Sequence, residues 1–352
     1  MSTNNDNENA LAPDDVGDNA IEAKETEGLS QGKIVFRKFL RHKGAMISIG
    51  VFAFVALFAF SSVGFGPIPG WWIYNHTSSG QILNSGGAPT WSFSNFFTLG
   101  QHPFGQDDIG RDNFARVMKG TQISIIVMVI IGLVCLVIGT IVGALAGYYR
   151  GWIDSVLMRI TDGFIILPVI VIGSILGKLV GGANGPLLGL ALGAILWTGL
   201  ARLVRGDFMS LREREFVDSA RVAGASDFRI MFKHMLPNAM GVIIVNTTLV
   251  MSQAIVLEAA LSYLGFGISP PGISLGQLIS EYQTSFATRP WLFWWPGLFI
   301  IVIALCVNFI GDGLRDAFDP RMKTIPSWRK MKKAERMTQK KVANTTQKEE
   351  AK

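Results

Sequence analysis

Six apolar stretches recur along the chain, at about 45–63, 120–147, 154–180, 185–203, 240–264 and 292–310. A helix of roughly 20 residues covers the ~30 Å of hydrocarbon in a bilayer. Within that hydrocarbon the backbone must satisfy its own polar groups, so each stretch has to be helical. The fold class expected is therefore all-α, an integral membrane protein with six transmembrane helices. Composition agrees, because 49% of the residues are hydrophobic and only 16% are charged. A soluble domain carries about a quarter charged residues. The net charge of +6 does not imply nucleic acid, since the cations cluster beside the apolar stretches.

Residues 1–30 are acidic, rich in Asn and Asp and free of aromatics, which predicts a disordered tail. Residues 33–43 mix Lys33, Arg37, Lys38, Arg41 and Lys43 with Ile34, Val35, Phe36, Phe39 and Leu40. Such a basic amphipathic segment is expected on the membrane surface. No cleavable signal peptide is expected, because more than 40 mostly polar residues precede the first apolar stretch. Four segments follow: the tail 1–30; the interfacial helix, first span and extracellular segment 31–120; a five-span core 121–313; and a basic tail 314–352. With the N-terminus in the cytoplasm, 26 Lys and Arg lie on that side and 5 lie outside or near the outer edge. This bias predicts both termini in the cytoplasm of a multi-pass membrane protein. Trp71, Trp72, Trp91, Trp291, Trp294 and Trp295 then gather at the outer interface.

Between the fourth and fifth stretches lies a polar insert, residues 205–238. Ser210 and Glu213 have the spacing of a capping box, which predicts a helix of about 13 residues ending at Gly224. A second start is expected at Ser226, with Asp227 in its first turn, and a stop near Leu236 before Pro237. Two short helices about a glycine hinge, between membrane spans, read as a docking element for something in the aqueous phase.

Within that insert run Asp218, Ser219, Ala220, three residues, Gly224, nine residues, His234, Met235, Leu236 and Pro237. This resembles the EAA loop of bacterial ABC importer permeases, departing from it at Asp218 for Glu, Ser219 for Ala and His234 for Ile. The stretch from His102 to Arg116, HPFGQDDIGRDNFAR, is similar to a signature of the C-type permease subunit of oligopeptide and dipeptide importers. Gln106 and Ala115 depart from its Thr and Ser, with no functional change expected. Leu261 to Gly267 and Gly311 to Arg321 look like later signatures of the same subunit, so the resemblance spans about 36–321.

The resemblance implies a type I ABC importer transmembrane domain whose hairpin, 206–238, couples to ATP-hydrolysing subunits through Phe216, Asp218, Ser219, Ala220, Gly224, Ala225 and Asp227. It implies as partners a second homologous permease subunit, two cytoplasmic ATP-binding subunits and an extracellular peptide-binding lipoprotein. The chain itself would be a non-catalytic subunit that binds no cofactor, with ATP used by the partners. It would form part of a path for oligopeptides or dipeptides. A nickel or other small-solute importer shares these motifs. An ion-coupled secondary transporter would need several buried carboxylates, and it leaves the capped hairpin unexplained.

Inside the apolar stretches, Glu258 is expected either to line the translocation path or to hydrogen-bond a neighbouring helix. Arg159 and Asp162 are spaced for a local ion pair. Gly139, Gly143 and Gly147, and again Gly185, Gly189 and Gly193, form small-residue stripes that favour close helix approach. His102, Asp107 and Asp108 match no metal-ligand spacing, and Gly173 to Lys178 lacks a full phosphate-loop pattern. Cys135 and Cys306 read as small buried hydrophobes.

Overall fold

The computed structural model describes residues 31–91, 100–180, 182 and 184–318. The expectations for residues 1–30, and for the tail beyond 318, fall outside the described residues. Helix α1 (Gln31–Arg41) leads into α2 (Lys43–Ser62). An irregular segment then reaches α3 (Asn113–Tyr149), which is followed by α4 (Gly151–Ile166), α5 (Val169–Val180), α6 (Gly185–Leu196) and α7 (Thr198–Arg212). The short α8 (Glu215–Val222) precedes the long α9 (Asp227–Tyr263), α10 (Leu275–Tyr282) and α11 (Pro290–Phe318). Among the described residues there are isolated β-bridges but no strand.

Four helices, α2, α3, α9 and α11, are long and apolar enough to cross a membrane alone. Six crossings result when each of two bent pairs counts as one, α4 with α5 and α6 with α7. The first pair meets at 86°. The chain breaks fully here instead of bending within one helix. Leu167 is extended (ψ 128°), as the residue before a proline prefers, and α5 restarts beyond Pro168. The second pair bends by 45° at Trp197.

The long α3 is the axis of the bundle, and both glycine stripes serve it. A Cβ on Gly143 would stand 2.5 Å from the carbonyl of Ala201, and one on Gly147 2.6 Å from that of Arg205. Those contacts bring α7 onto one side of α3. From α6, a Cβ on Gly185 would meet Ile123 at 2.7 Å and one on Gly193 would meet Val134 at 2.7 Å. Side chains at these positions would hold the helices apart, and with them the dispersion contacts that join helices in lipid.

α3 also starts earlier than its apolar stretch. Asp112 caps it by accepting from the amide of Ala115 (2.8 Å), and no breaker follows before Gly120, so one helix runs from the outer motif into the span. Polar pairs then fasten neighbouring helices. Arg205 clamps Asp154 of α4 from α7 through Nε and Nη2 (2.5 and 2.6 Å). Asp162 pairs with Arg202 of α7, not with Arg159. The interhelical partner wins over the local one because α7 lies against α4 along this face.

Candidate functional site

The insert between α7 and α9 differs from its sequence reading at both ends. Ser210 lies inside α7, and the chain leaves the helix at Glu213 and Arg214 instead. Phe208 and Val204 on α7 are fully buried against the glycine stripe of α3, and that packing carries the helix past the local capping signal. α8 consequently begins without a side-chain cap. The expected stop at Leu236 is also absent. Asp227 to Tyr263 runs as one helix through a π segment, Ile230–Met235. In α pitch the ring of Pro237 would collide with the carbonyl four residues back. The wider turn before it gives that room, with the amide of Leu236 donating five residues back to Met231. Asn238 Nδ2 covers the carbonyl of His234 (2.7 Å).

The middle of the insert follows the sequence reading. Gly224 has φ +76°, a left-handed turn that few side chains tolerate. Its amide donates to Arg221 (3.0 Å) and that of Ala225 to Ala220 (3.1 Å), which together close a Schellman motif. Ser226 then caps the next helix at the amide of Arg229 (3.4 Å).

The hairpin gathers seven of the eight residues singled out from sequence. Phe216, Asp218, Ser219 and Asp227 are exposed. Asp218 accepts from Arg221 (3.0 Å), and the Ser219 hydroxyl donates to the carbonyl of Glu215 (2.9 Å). Ala220 and Ala225 are half-buried, packed on a core of Val217, Ile230, Met231 and Met235. Ala220 therefore does not face water freely, although it lies near the end of a surface helix. The eighth residue lies elsewhere. Glu258 is fully buried in α9, where it accepts from Ser124 of α3 (2.9 Å) and from Ser262 (2.8 Å). The arrangement found there is a carboxylate hydrogen-bonded to a neighbouring helix. Ser124 and Tyr148 are 24 residues apart on α3, so Glu258 and the hairpin are separated by about 36 Å.

Other hairpin residues emerge only from the structure. Val222 is 89% exposed and Phe228 67%, an apolar surface in an otherwise polar insert. Phe228 and Phe232 pack ring to ring with centroids 4.4 Å apart. The i, i+4 spacing of these two rings was the available sequence signal. Tyr148, at the end of α3, donates its hydroxyl to Asp227 Oδ1 (2.7 Å). Arg150, with φ +57°, reaches the carbonyl of Met209 (3.1 Å) and the carboxylate of Glu213 (2.7 Å). The hairpin is thus joined to the end of α3 as well as to its own two spans.

At the far end of α3 a second polar cluster forms. Arg111 and Arg116 each donate to Glu281 of α10 (both 2.6 Å), and Arg111 Nε donates to Asp107 (2.5 Å). His102 pairs with Asp112 (2.7 Å), so His102 and Asp107 go to separate partners. Burial pushes the Asp112 carboxyl above its usual range, opposed by hydrogen bonds from His102, Ala115 and Trp72. Gln106 donates to the carbonyls of Gln81 (2.9 Å) and Gly110 (3.1 Å) and accepts from the amide of Leu83 (3.0 Å). A threonine is too short to bridge those three groups, so this departure from the family signature stitches the irregular segment together.

Residues 139–324 match the family model described as the binding-protein-dependent transport system inner membrane component. Residues 30–84 match that of the N-terminal TM domain of oligopeptide transport permease C. The oligopeptide transport system permease protein of Mycobacterium tuberculosis is 34% identical over 301 residues, covering 85% of this chain and 98% of the relative. The chain belongs to the binding-protein-dependent permease family. The oligopeptide transport system permease protein of Haemophilus influenzae is 36% identical, covering 86% of this permease and 92% of that relative. A putative peptide transport system permease protein of Brucella suis is 39% identical over 226 residues, covering 63% of this chain and 75% of its own. Among solved structures, the MetNI methionine ABC transporter in inward-facing conformations is 20% identical, covering 58% of this chain and 97% of that chain, with a TM-score of 0.47. The permease is accordingly a multi-pass membrane protein of the ABC importer class.

Proposed function

We propose that this permease forms, with a second homologous permease subunit, the path through which an ATP-driven importer admits oligopeptides or dipeptides. The observation that carries the reading is the hairpin, a folded element that exposes Phe216, Val222 and Phe228 beyond the apolar helices. An apolar surface set among charges is what a protein partner buries. Two cytoplasmic ATP-binding subunits are the partners, and closing on ATP they push the hairpin. An extracellular peptide-binding lipoprotein delivers the substrate at the opposite face. The excess of Lys and Arg on the hairpin side supports a cytoplasmic position for both termini.

Val222→Asp tests the docking surface. The side chain is nearly free in this chain, so the variant should fold and reach the membrane at wild-type abundance. The expected result is loss of co-purification with the ATP-binding subunits and of peptide uptake. Wild-type assembly and uptake would remove the hairpin from the contact. Uptake of labelled nickel but not of labelled peptides would reassign the substrate to the small-solute importers.

A further inference from the structure

Helix α1 has no part in the hairpin reading, yet its surface is strongly divided. Lys33, Arg37, Lys38 and Arg41 fall within an arc of about 140° at helical pitch, and Val35, Phe36, Phe39 and Leu40 fill the opposite arc. Only Ile34 interrupts the basic side, and no acidic residue lies between Gln31 and Lys43. Val35 and Phe39 are half-buried, whereas Phe36 is 62% and Leu40 47% exposed.

The height of this helix is fixed by its junction with α2. The α1 helix ends at Arg41, and His42 has extended backbone (ψ 97°). His42 Nδ1 accepts from the amide of Ala45 (3.0 Å), and Nε2 contacts Asp316 of α11 (3.3 Å). A Cβ on Gly313 would lie 2.3 Å from the Cβ of Ala45, so α11 is seated directly on the junction. Two residues later begins the apolar run of a 20-residue spanning helix. The junction therefore sits at the edge of the hydrocarbon.

We propose that α1 lies on the bilayer surface, with Phe36 and Leu40 in the acyl boundary and its four cations on the headgroups of anionic phospholipid. Charge decides the occupant. A cationic arc without an acidic residue, beside exposed apolar side chains, complements an anionic interface and gains little from a zwitterionic one. The competing occupant is this chain's own residues 1–30, which hold eight acidic residues and one lysine. The proposal stands apart from the transported substrate and from the hairpin.

Hydrogen exchange of the α1 amides tests it, on the full-length chain in nanodiscs of phosphatidylcholine alone or mixed with phosphatidylglycerol. With phosphatidylglycerol, exchange across α1 should slow by about tenfold or more, while α2 stays unchanged as internal control. High salt should reverse the effect. Lys33→Gln, Arg37→Gln, Lys38→Gln and Arg41→Gln combined should abolish it, since Gln keeps the helix propensity of Lys and Arg. As an independent measure, a dye on Phe36→Cys, in a background without Cys135 and Cys306, should be quenched by acyl-chain spin labels only when phosphatidylglycerol is present. Equal exchange in the two lipids would overturn the proposal. If lipid has no effect and removal of residues 1–30 accelerates exchange, the acidic segment is the occupant and the proposal also fails.

Discussion

The hydroxyl of Tyr148 donates to the carboxylate of Asp227 across 2.7 Å, joining the end of the axial helix α3 to the hairpin. Arg212 stands over the same ring, its guanidinium carbon 5.8 Å from the centroid. Tyr148 itself is only 4% exposed, so its ring is core while its oxygen belongs to the hairpin.

Tyr148→Phe should separate those two roles. The ring stays packed and abundance in the membrane should hold. A hydrogen bond of this kind contributes about 1 kcal/mol, or about fivefold in the population of the attached hairpin. Peptide uptake should fall by a similar factor while the subunits still co-purify. Unchanged uptake would show that α3 does not steady the hairpin.

Gly224→Pro addresses the turn itself. No neighbouring atom lies within 4 Å of a Cβ there, so the conflict is between φ +76° and proline's fixed negative φ. The amide given to Arg221 is lost as well. Transport should be abolished with the protein still inserted, as read by uptake and membrane abundance in the same cells. Wild-type transport would dismiss the turn from the mechanism.

Glu258 is expected to act through stability. Glu258→Ala leaves the hydroxyls of Ser124 and Ser262 without their acceptor, at a cost of roughly 1–2 kcal/mol. The Ser124 hydroxyl also receives the amide of Leu275, so the start of α10 should loosen too. The thermal midpoint in detergent should drop, and a wild-type midpoint would contradict the holding role.

At the other end of α10, Glu281→Ala should be more severe. Arg116 has only 3% of its side chain exposed, and it would keep no direct hydrogen bond to a carboxylate, only a 3.8 Å approach to Asp107 and the face of the Tyr282 ring at 5.6 Å. An uncompensated buried charge costs about 3 kcal/mol or more. Limited proteolysis should then cut the segment around residues 76–90 much faster. Equal cutting rates would show that the charge network does not hold that segment.

Topology can be read with cysteines at Ser79 and Ala223, in a background without Cys135 and Cys306. Both sites are exposed in the chain. An impermeant thiol reagent should label position 79 on intact cells and position 223 only after permeabilisation. The reverse pattern would invert the proposed orientation.

Hydropathy was enough to locate the membrane helices, because lipid forces local hydrogen bonding and leaves few alternatives. The glycine stripes likewise announced α3 as a close neighbour of other helices. What hydropathy could not reveal was competition between local and distant partners. Ser210 lost its capping role to the packing of Phe208, and Asp162 took Arg202 over Arg159. Pro237 reads as a stop until the π segment before it is seen, and that segment has no simple sequence mark. The role of Gln106 was hidden for a related reason, since its three backbone partners depend on a fold without regular structure.

The absence of any loop between Asp227 and Tyr263 has a mechanical corollary. The hairpin's second helix, the π turn and the span are one rod, and the axial helix is fastened to it near both ends, Tyr148 at Asp227 and Ser124 at Glu258. Two such fastenings, one toward each end, keep the rod and the axial helix from sliding past each other unless one of them breaks. A displacement of Asp227 along the rod therefore either carries the axial helix with it as far as Glu258 or gives up one of those two hydrogen bonds.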